Sequence, residues 1–194
     1  NGSPLGKALP YSLSCPEYSN EINKLFLSDC PGSSTSGSVG RALRLMNLYG
    51  NQILLMHQAD WTSGWLLNNW ELGEEGNNLR MGWDISKNSW PETFEKLKWK
   101  KSLPKIVPSG TILGNISTQI ATKLNLPKSL QIVAGTTDSN AGVLATFSKE
   151  NEGITILGST IVIKKFVKSP IEGKGISNHK LSGNWLCGGA SNSG

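Results

Sequence analysis

The chain has 194 residues, 37% hydrophobic and 17% charged, with a formal charge of +5, a pI of about 9.1 and a mean hydropathy of -0.24. That composition argues against disordered and membrane-embedded classes and leaves a folded chain, long enough for one sizeable domain or most of one joined to the start of another. No stretch approaches the roughly 18 uninterrupted apolar residues of a membrane span, and the start Asn1-Gly2-Ser3-Pro4 has no signal-peptide pattern, so a cytoplasmic setting is expected.

In chain order, Asn1-Gly2 is a hairpin-turn dipeptide that would normally follow a strand, and Gly188 to Gly194 is a glycine-rich turn with nothing after it; both ends read as cut. The spacing of Val39, Ala42, Leu43, Leu45, Met46 and Leu48 predicts a helix over Ser38 to Tyr49, with Ser33 to Gly37 available to cap it. A short strand at Ile53 to Met56 and then a helix carrying Trp61 and Trp65 on a buried face are expected before Trp70. Gly73 to Trp90 is polar and irregular, and reads as a long surface loop with two aromatic anchors.

Further on, a short helix is expected at Ser117 to Leu124, a buried strand at Leu130 to Ala134 and a helix from Ser139 to Thr146. The β-branched runs Ile154 to Ile156 and Ile161 to Ile163, joined by Leu157-Gly158-Ser159-Thr160, form the clearest hairpin in the chain. A lower-complexity stretch from Lys168 to Asn178 then leads to Trp185-Leu186-Cys187.

Cys15, Cys30 and Cys187 are far apart and lack paired metal or redox spacing, so reduced structural thiols are expected. His57 and His179 have no partners at ligand spacing, and no metal site is predicted from the residues. The positive excess lies in Lys96 to Lys101 and in Lys164, Lys165 and Lys168, and reads as a solvated surface rather than a nucleic-acid face. The neighbouring carboxylates Glu74 and Glu75 read as solvated loop residues, since a two-carboxylate glycosidase needs them facing across a sugar.

Two short segments could carry chemistry. Asp138 follows a strand through Gly135-Thr136-Thr137 and opens a helix, whose dipole favours an ionised carboxylate able to accept a proton from an attacking hydroxyl. By spacing alone, an Asp helix cap is the commoner reading. Gly158-Ser159-Thr160 offers backbone NH groups and hydroxyls for phosphate oxygens, or forms a plain hairpin turn.

Several segments together resemble the FGGY carbohydrate kinases, in particular the pentulose-kinase-like branch of cyanobacterial and plant type. They are Gln58-Ala59-Asp60-Trp61, Gly76-Asn77-Asn78-Leu79-Arg80, Val133-Ala134-Gly135-Thr136-Thr137-Asp138-Ser139, Leu157-Gly158-Ser159-Thr160-Ile161-Val162, Ser177-Asn178-His179-Lys180-Leu181 and Gly188-Gly189-Ala190-Ser191-Asn192. The resemblance implies an α/β, actin-like (ribonuclease H-like) ATPase fold, present in part: residues 1–150 from the later part of the sugar-binding domain and 151–194 opening the nucleotide-binding domain. It implies ATP-dependent phosphorylation of a ketopentose such as ribulose or xylulose, with Asp138 as general base. Gly158, Ser159 and Thr160 become phosphate contacts, Thr137 and Ser139 substrate contacts, and ATP and Mg²⁺ the cofactors.

It implies a small-molecule sugar partner, without nucleic acid or membrane, and a cytoplasmic setting, or a plastid if the source is a plant. The family's N-terminal Asp-Gly-Thr motif and downstream adenosine motif do not occur in these 194 residues, so the chain alone is expected to be inactive. Many relatives carry Tyr-Asn-Asp near Leu9-Pro10-Tyr11-Ser12, which puts sugar contacts from that loop in doubt. The alternative from another class is an actin-like sugar-binding or regulatory protein without catalysis.

Overall fold

The computed structural model describes residues 2–26, 30–149, 152–158 and 160–191. Its first helices are α1 (Ser19–Leu25), α2 (Ser38–Tyr49) and α3 (Gln58–Leu67). The expected boundaries of α2 hold, and it buries Val39, Gly40, Ala42 and Met46 on one face at helical spacing, while Leu48 points to solvent. Its N-cap is Gly37 with no side-chain capping bond, so the upstream serines do not cap it. Ser33 Oγ donates instead to the Cys30 carbonyl.

No strand forms at Ile53 to Met56; Leu55 makes one backbone bond of 2.7 Å to the Ser102 carbonyl. In α3, Trp61 and Trp65 are only partly buried, and the helix buries Asp60 and Gly64.

The segment expected as a surface loop is mostly buried structure. It contains β1 (Leu72–Glu74), α4 (Glu75–Asn78) and a 3₁₀ turn at Leu79–Met81. Leu79, Trp83 and Ile85 form a core cluster joined by Trp90, Ile106 and Trp185. The two aromatic anchors, Trp83 and Trp90, meet edge to face at 5.2 Å. The polar residues upstream of Trp83, Glu74 to Asn78, bond to one another, to Asp60 and to Ser109, which is how a polar sequence comes to be buried.

Next come α5 (Glu92–Lys96), β2 (Lys105–Val107), β3 (Ile112–Asn115), α6 (Thr118–Leu124) and β4 (Gln131–Val133). β1 pairs parallel with β2, and β3 antiparallel with β4. The predicted strand at Leu130 to Ala134 is therefore real, but only Ile132 and Ala134 are buried in it, because a two-stranded ribbon leaves one face open. Ser117 caps α6, its Oγ accepting from the Ile120 N–H at 3.3 Å.

The last part consists of α7 (Asp138–Ala145), β5 (Gly153–Ile156), β6 (Ile161–Val167), β7 (Ile176–Leu181) and β8 (Asn184–Ser191). The four strands form one antiparallel sheet in the order β5-β6-β8-β7. The hairpin read from the sequence is β5 with β6, in register Ile154↔Lys164 and Ile156↔Val162. The glycine-rich end is a strand rather than a turn as far as Ser191, and Asn192 to Gly194 lie outside the described residues, as does Asn1. Gly188 explains the composition: a Cβ there would stand 2.3 Å from the Ile163 carbonyl and 2.8 Å from Lys164 Cγ.

Val143 of α7 packs with Ile154, Leu181 and Leu186 of the sheet, so this helix shares its core with the strands that follow it. The expected division at 150 falls on Glu150 and Asn151, outside the described residues. A separate core under α2 gathers Ile22, Val39, Met46, Leu55, Phe94 and Trp99.

Candidate functional site

Asp138 is the first residue of α7, and Thr137 is the N-cap. The cap reading of Asp138 therefore fails at the level of geometry: the Thr137 carbonyl accepts from the Asn140 and Ala141 N–H groups, and no side chain caps the helix. The Asp138 carboxylate is exposed, with Oδ1 accepting from the Ser139 N–H at 2.8 Å. It stands where the helix dipole favours negative charge. Thr137 and Ser139 flank it and are half-buried. The strand that delivers it, β4, belongs to an antiparallel ribbon, so Asp138 does not leave the carboxyl edge of a parallel sheet as the strand-turn-helix pattern suggested.

Beneath Asp138 lies a buried polar network absent from the sequence reading. Lys164, expected on a solvated surface, is only 4% exposed, and its Nζ donates to Asn140 Oδ1 at 2.5 Å. Asn140 Nδ2 in turn donates to Thr136 Oγ1 at 3.4 Å and to His179 Nδ1 at 3.5 Å. Because an amide nitrogen only donates, His179 Nδ1 is the acceptor and the ring proton sits on Nε2. Burial, helped by Lys164 and Arg80, brings the His179 pKa down to about 4, so the ring is neutral.

Burial also lowers the pKa of Lys164, while the Asp138 carboxylate raises it. Period-two alternation along β6 carries a faint signal of this burial: Val162, Lys164 and Phe166 share one face, whereas Ile163 and Lys165 face out.

Gly158 and Thr160 lie in the turn between β5 and β6, and Ser159 is outside the described residues. Among the described residues, a Cβ at Gly158 would meet only the Thr160 carbonyl, at 3.7 Å, so no described side chain crowds its backbone. The turn and Asp138 sit on neighbouring elements: α7 packs on β5 through Val143 and Ile154, and a Cβ at Gly142 would lie 3.9 Å from Ile156 Cδ1.

Glu74 and Glu75, expected in solvent, are 3% and 4% exposed. The Glu74 carboxylate accepts from the Gly76 and Asn77 N–H groups, both at 2.8 Å, and from Ser109 Oγ at 2.6 Å, and so caps α4. Asp60 accepts from the Glu74 N–H at 3.0 Å and Asn78 Nδ2 at 2.9 Å, and burial raises its pKa to about 6. Burial and the neighbouring Glu74 likewise raise Glu75, opposed by Lys180. Asp60, Glu74 and Thr136 border a cavity of about 40 Å³. That suits water and falls far short of the roughly 300 Å³ at which small-molecule sites begin. Asp60 and Glu74 thus act as acceptors that hold this segment together.

His57 is half-buried with its Nε2 enclosed and unpartnered among the described residues, its pKa lowered to about 4 by desolvation and by Arg41. The three cysteines are free thiols, Cys15 and Cys187 buried. Among the described residues, no three His, Cys, Asp or Glu side chains converge as a metal-ion site, and no helix is long and apolar enough to cross a membrane.

No known family profile matches the chain. Over 108 residues it is 27% identical to YoaC of Bacillus subtilis (strain 168), a protein whose name assigns it provisionally to the sugar kinases; the match covers 53% of this chain and 22% of YoaC. Solved structures match over nearly the whole chain. A carbohydrate kinase from Novosphingobium aromaticivorans gives a TM-score of 0.79 at 19% identity, covering 98% of this chain and 45% of that one. The Plasmodium falciparum glycerol kinase with ADP gives 0.79 at 14%, covering 97% and 42%. A xylulose kinase from Rhodospirillum rubrum gives 0.75 at 15%, covering 91% and 39%. The fold is that of the actin-like ATPases, present in part: the chain spans less than half the length of these relatives. At such identities the likeness establishes the fold alone.

Proposed function

We propose that this chain is part of an ATP-dependent sugar kinase of the FGGY type, acting on a ketopentose such as ribulose or xylulose. The observation that carries this reading is the exposed Asp138 carboxylate at the start of α7, on a fold that solved sugar kinases match over 91% to 98% of the chain.

In this reading Asp138 accepts the proton of the sugar hydroxyl as its oxygen attacks phosphorus. Thr137 and Ser139 bound the hydroxyl's approach. The backbone of the β5–β6 turn at Gly158 and Thr160, with Ser159 between them, holds phosphate oxygens. ATP supplies the phosphoryl group, with Mg²⁺ neutralising its charge when bound. The division of the chain at 150, between a sugar-binding and a nucleotide-binding part, belongs to the same reading.

The test is a coupled ADP-release assay on the complete protein with a panel of ketopentoses and polyols. Sugar-dependent ADP release, strongest with a ketopentose, is expected. Sugar binding without ADP release from any member of the panel would replace the kinase with a non-catalytic sugar-binding protein.

A further inference from the structure

Lys164 is a costly residue to bury, since an ammonium leaves strong hydration behind and regains it only through hydrogen bonds or an opposing charge. The fold makes a place for it. β8 crosses beside β6 in register Lys164↔Gly188, and the missing Cβ of Gly188 opens the space that the Lys164 stem fills. The ammonium then reaches Asn140 at 2.5 Å, two residues beyond Asp138 in the first turn of α7.

Among the described residues, the groups that line the ammonium are otherwise neutral. Asn140 is an amide, His179 on β7 is held uncharged and accepts from the same amide, and Gly188 on β8 has no side chain. None of the ion pairs among the described residues includes Lys164. Asp138 is the anion that acts on it, and the exposed Arg80 acts on His179 from outside the network.

We propose that Lys164 is a positioning residue for Asp138: through its hydrogen bond to Asn140 it fixes the first turn of α7, and its buried ammonium supplies positive charge that acts on the carboxylate. The role as stated rests on Asp138 being the base, although the pairing of the two charges does not. Asn140 is the hinge of the arrangement. Its amide is held by Lys164 through Oδ1 and by Thr136 and His179 through Nδ2, which closes the turn from Thr136 to Asn140 and anchors it to β6 and β7.

Two measurements test this. The first needs no activity: the side-chain ¹⁵N signal of Lys164 is titrated in the chain and in Asp138→Asn, a change at an exposed position. Linkage is reciprocal, so loss of the carboxylate should move the Lys164 midpoint downward; an unmoved midpoint overturns the charge pairing. The second is a double-mutant cycle on turnover in the complete protein. Lys164→Met should lower kcat at least about tenfold with little change in nucleotide KM, and should add almost nothing in an Asp138→Asn background, because both changes disable one unit.

Losses that simply multiply would make Lys164 a general structural residue and overturn the proposal. Failure of Lys164→Met to fold leaves the first measurement decisive. Normal turnover in Asp138→Asn would remove the base reading, while the ammonium titration would still decide the link between the two charges.

Discussion

At the scale of single residues, burial separates groups of the same chemical type. Asp138 is exposed at a helix start, whereas Asp60 is enclosed with two donors and its pKa is pushed up to about 6. The two histidines go the other way, each to about 4. An imidazole kept neutral by the fold binds fewer protons than the same ring unfolded; its stabilisation is intact above pH 6.5 and is lost as pH falls toward about 4. A carboxyl with a raised folded pKa contributes stability that is intact below about 3.8 and lost as pH rises through about 6.

Asp60 thus offsets part of the acid sensitivity that His57 and His179 create. Urea unfolding at pH 7, 5.5 and 4.5 should show Asp60→Asn losing stability more steeply on acidification than the parent, and His57→Gln less steeply. The reverse ordering would mean that burial does not set these groups' titration. Asp138 stood out in the sequence as a carboxylate after a strand and a Gly-Thr-Thr turn, and the structure keeps it at a helix start. Lys164 did not stand out, because its burial depends on Gly188, 24 residues away in sequence and opposite it across the sheet.

At the scale of elements, the periodic segments were legible and the internally satisfied polar one was not. α2 and the β5–β6 hairpin follow their side-chain periods closely. Between Gly73 and Trp90, polarity suggested solvent, yet Glu74 alone takes three hydrogen bonds and joins α4 to the loop before β3 through Ser109. Composition registers the polar groups but not their partners.

A single substitution tests that account of the segment. Glu74→Ala should cost on the order of 3 kcal/mol in denaturant unfolding, since it strands two buried or half-buried N–H groups and a hydroxyl. Glu74→Gln, which keeps an acceptor for some of them, should cost less. A cost within about 0.5 kcal/mol, the range of ordinary surface substitutions, would contradict the burial of the segment.

At the scale of the molecule, the chain is a partial actin-like fold in which α7 shares its core with the four-stranded sheet. Its first turn carries Asp138, its other face packs on β5, β7 and β8, and its amide Asn140 reaches across to Lys164 and His179. The four-stranded sheet also touches the first part of the chain through Lys180, whose Nζ donates to the Ile85 carbonyl at 3.3 Å, and through Trp185, which packs against the cluster of Leu79, Trp83 and Ile85. The overall fold was legible through the ordered set of motifs from Asp60 to Ser191 rather than through any one of them. The contacts that bind the set together, across β6 and β8, come from pairing distant in sequence and had no local signature.

The most direct measurement is sugar-dependent ADP release by the complete protein and by its Asp138→Asn variant, alongside nucleotide binding by each. If Asp138 is the base, turnover falls by at least about a hundredfold while nucleotide binding is largely kept. Near-normal turnover in the variant would remove Asp138 from the chemistry.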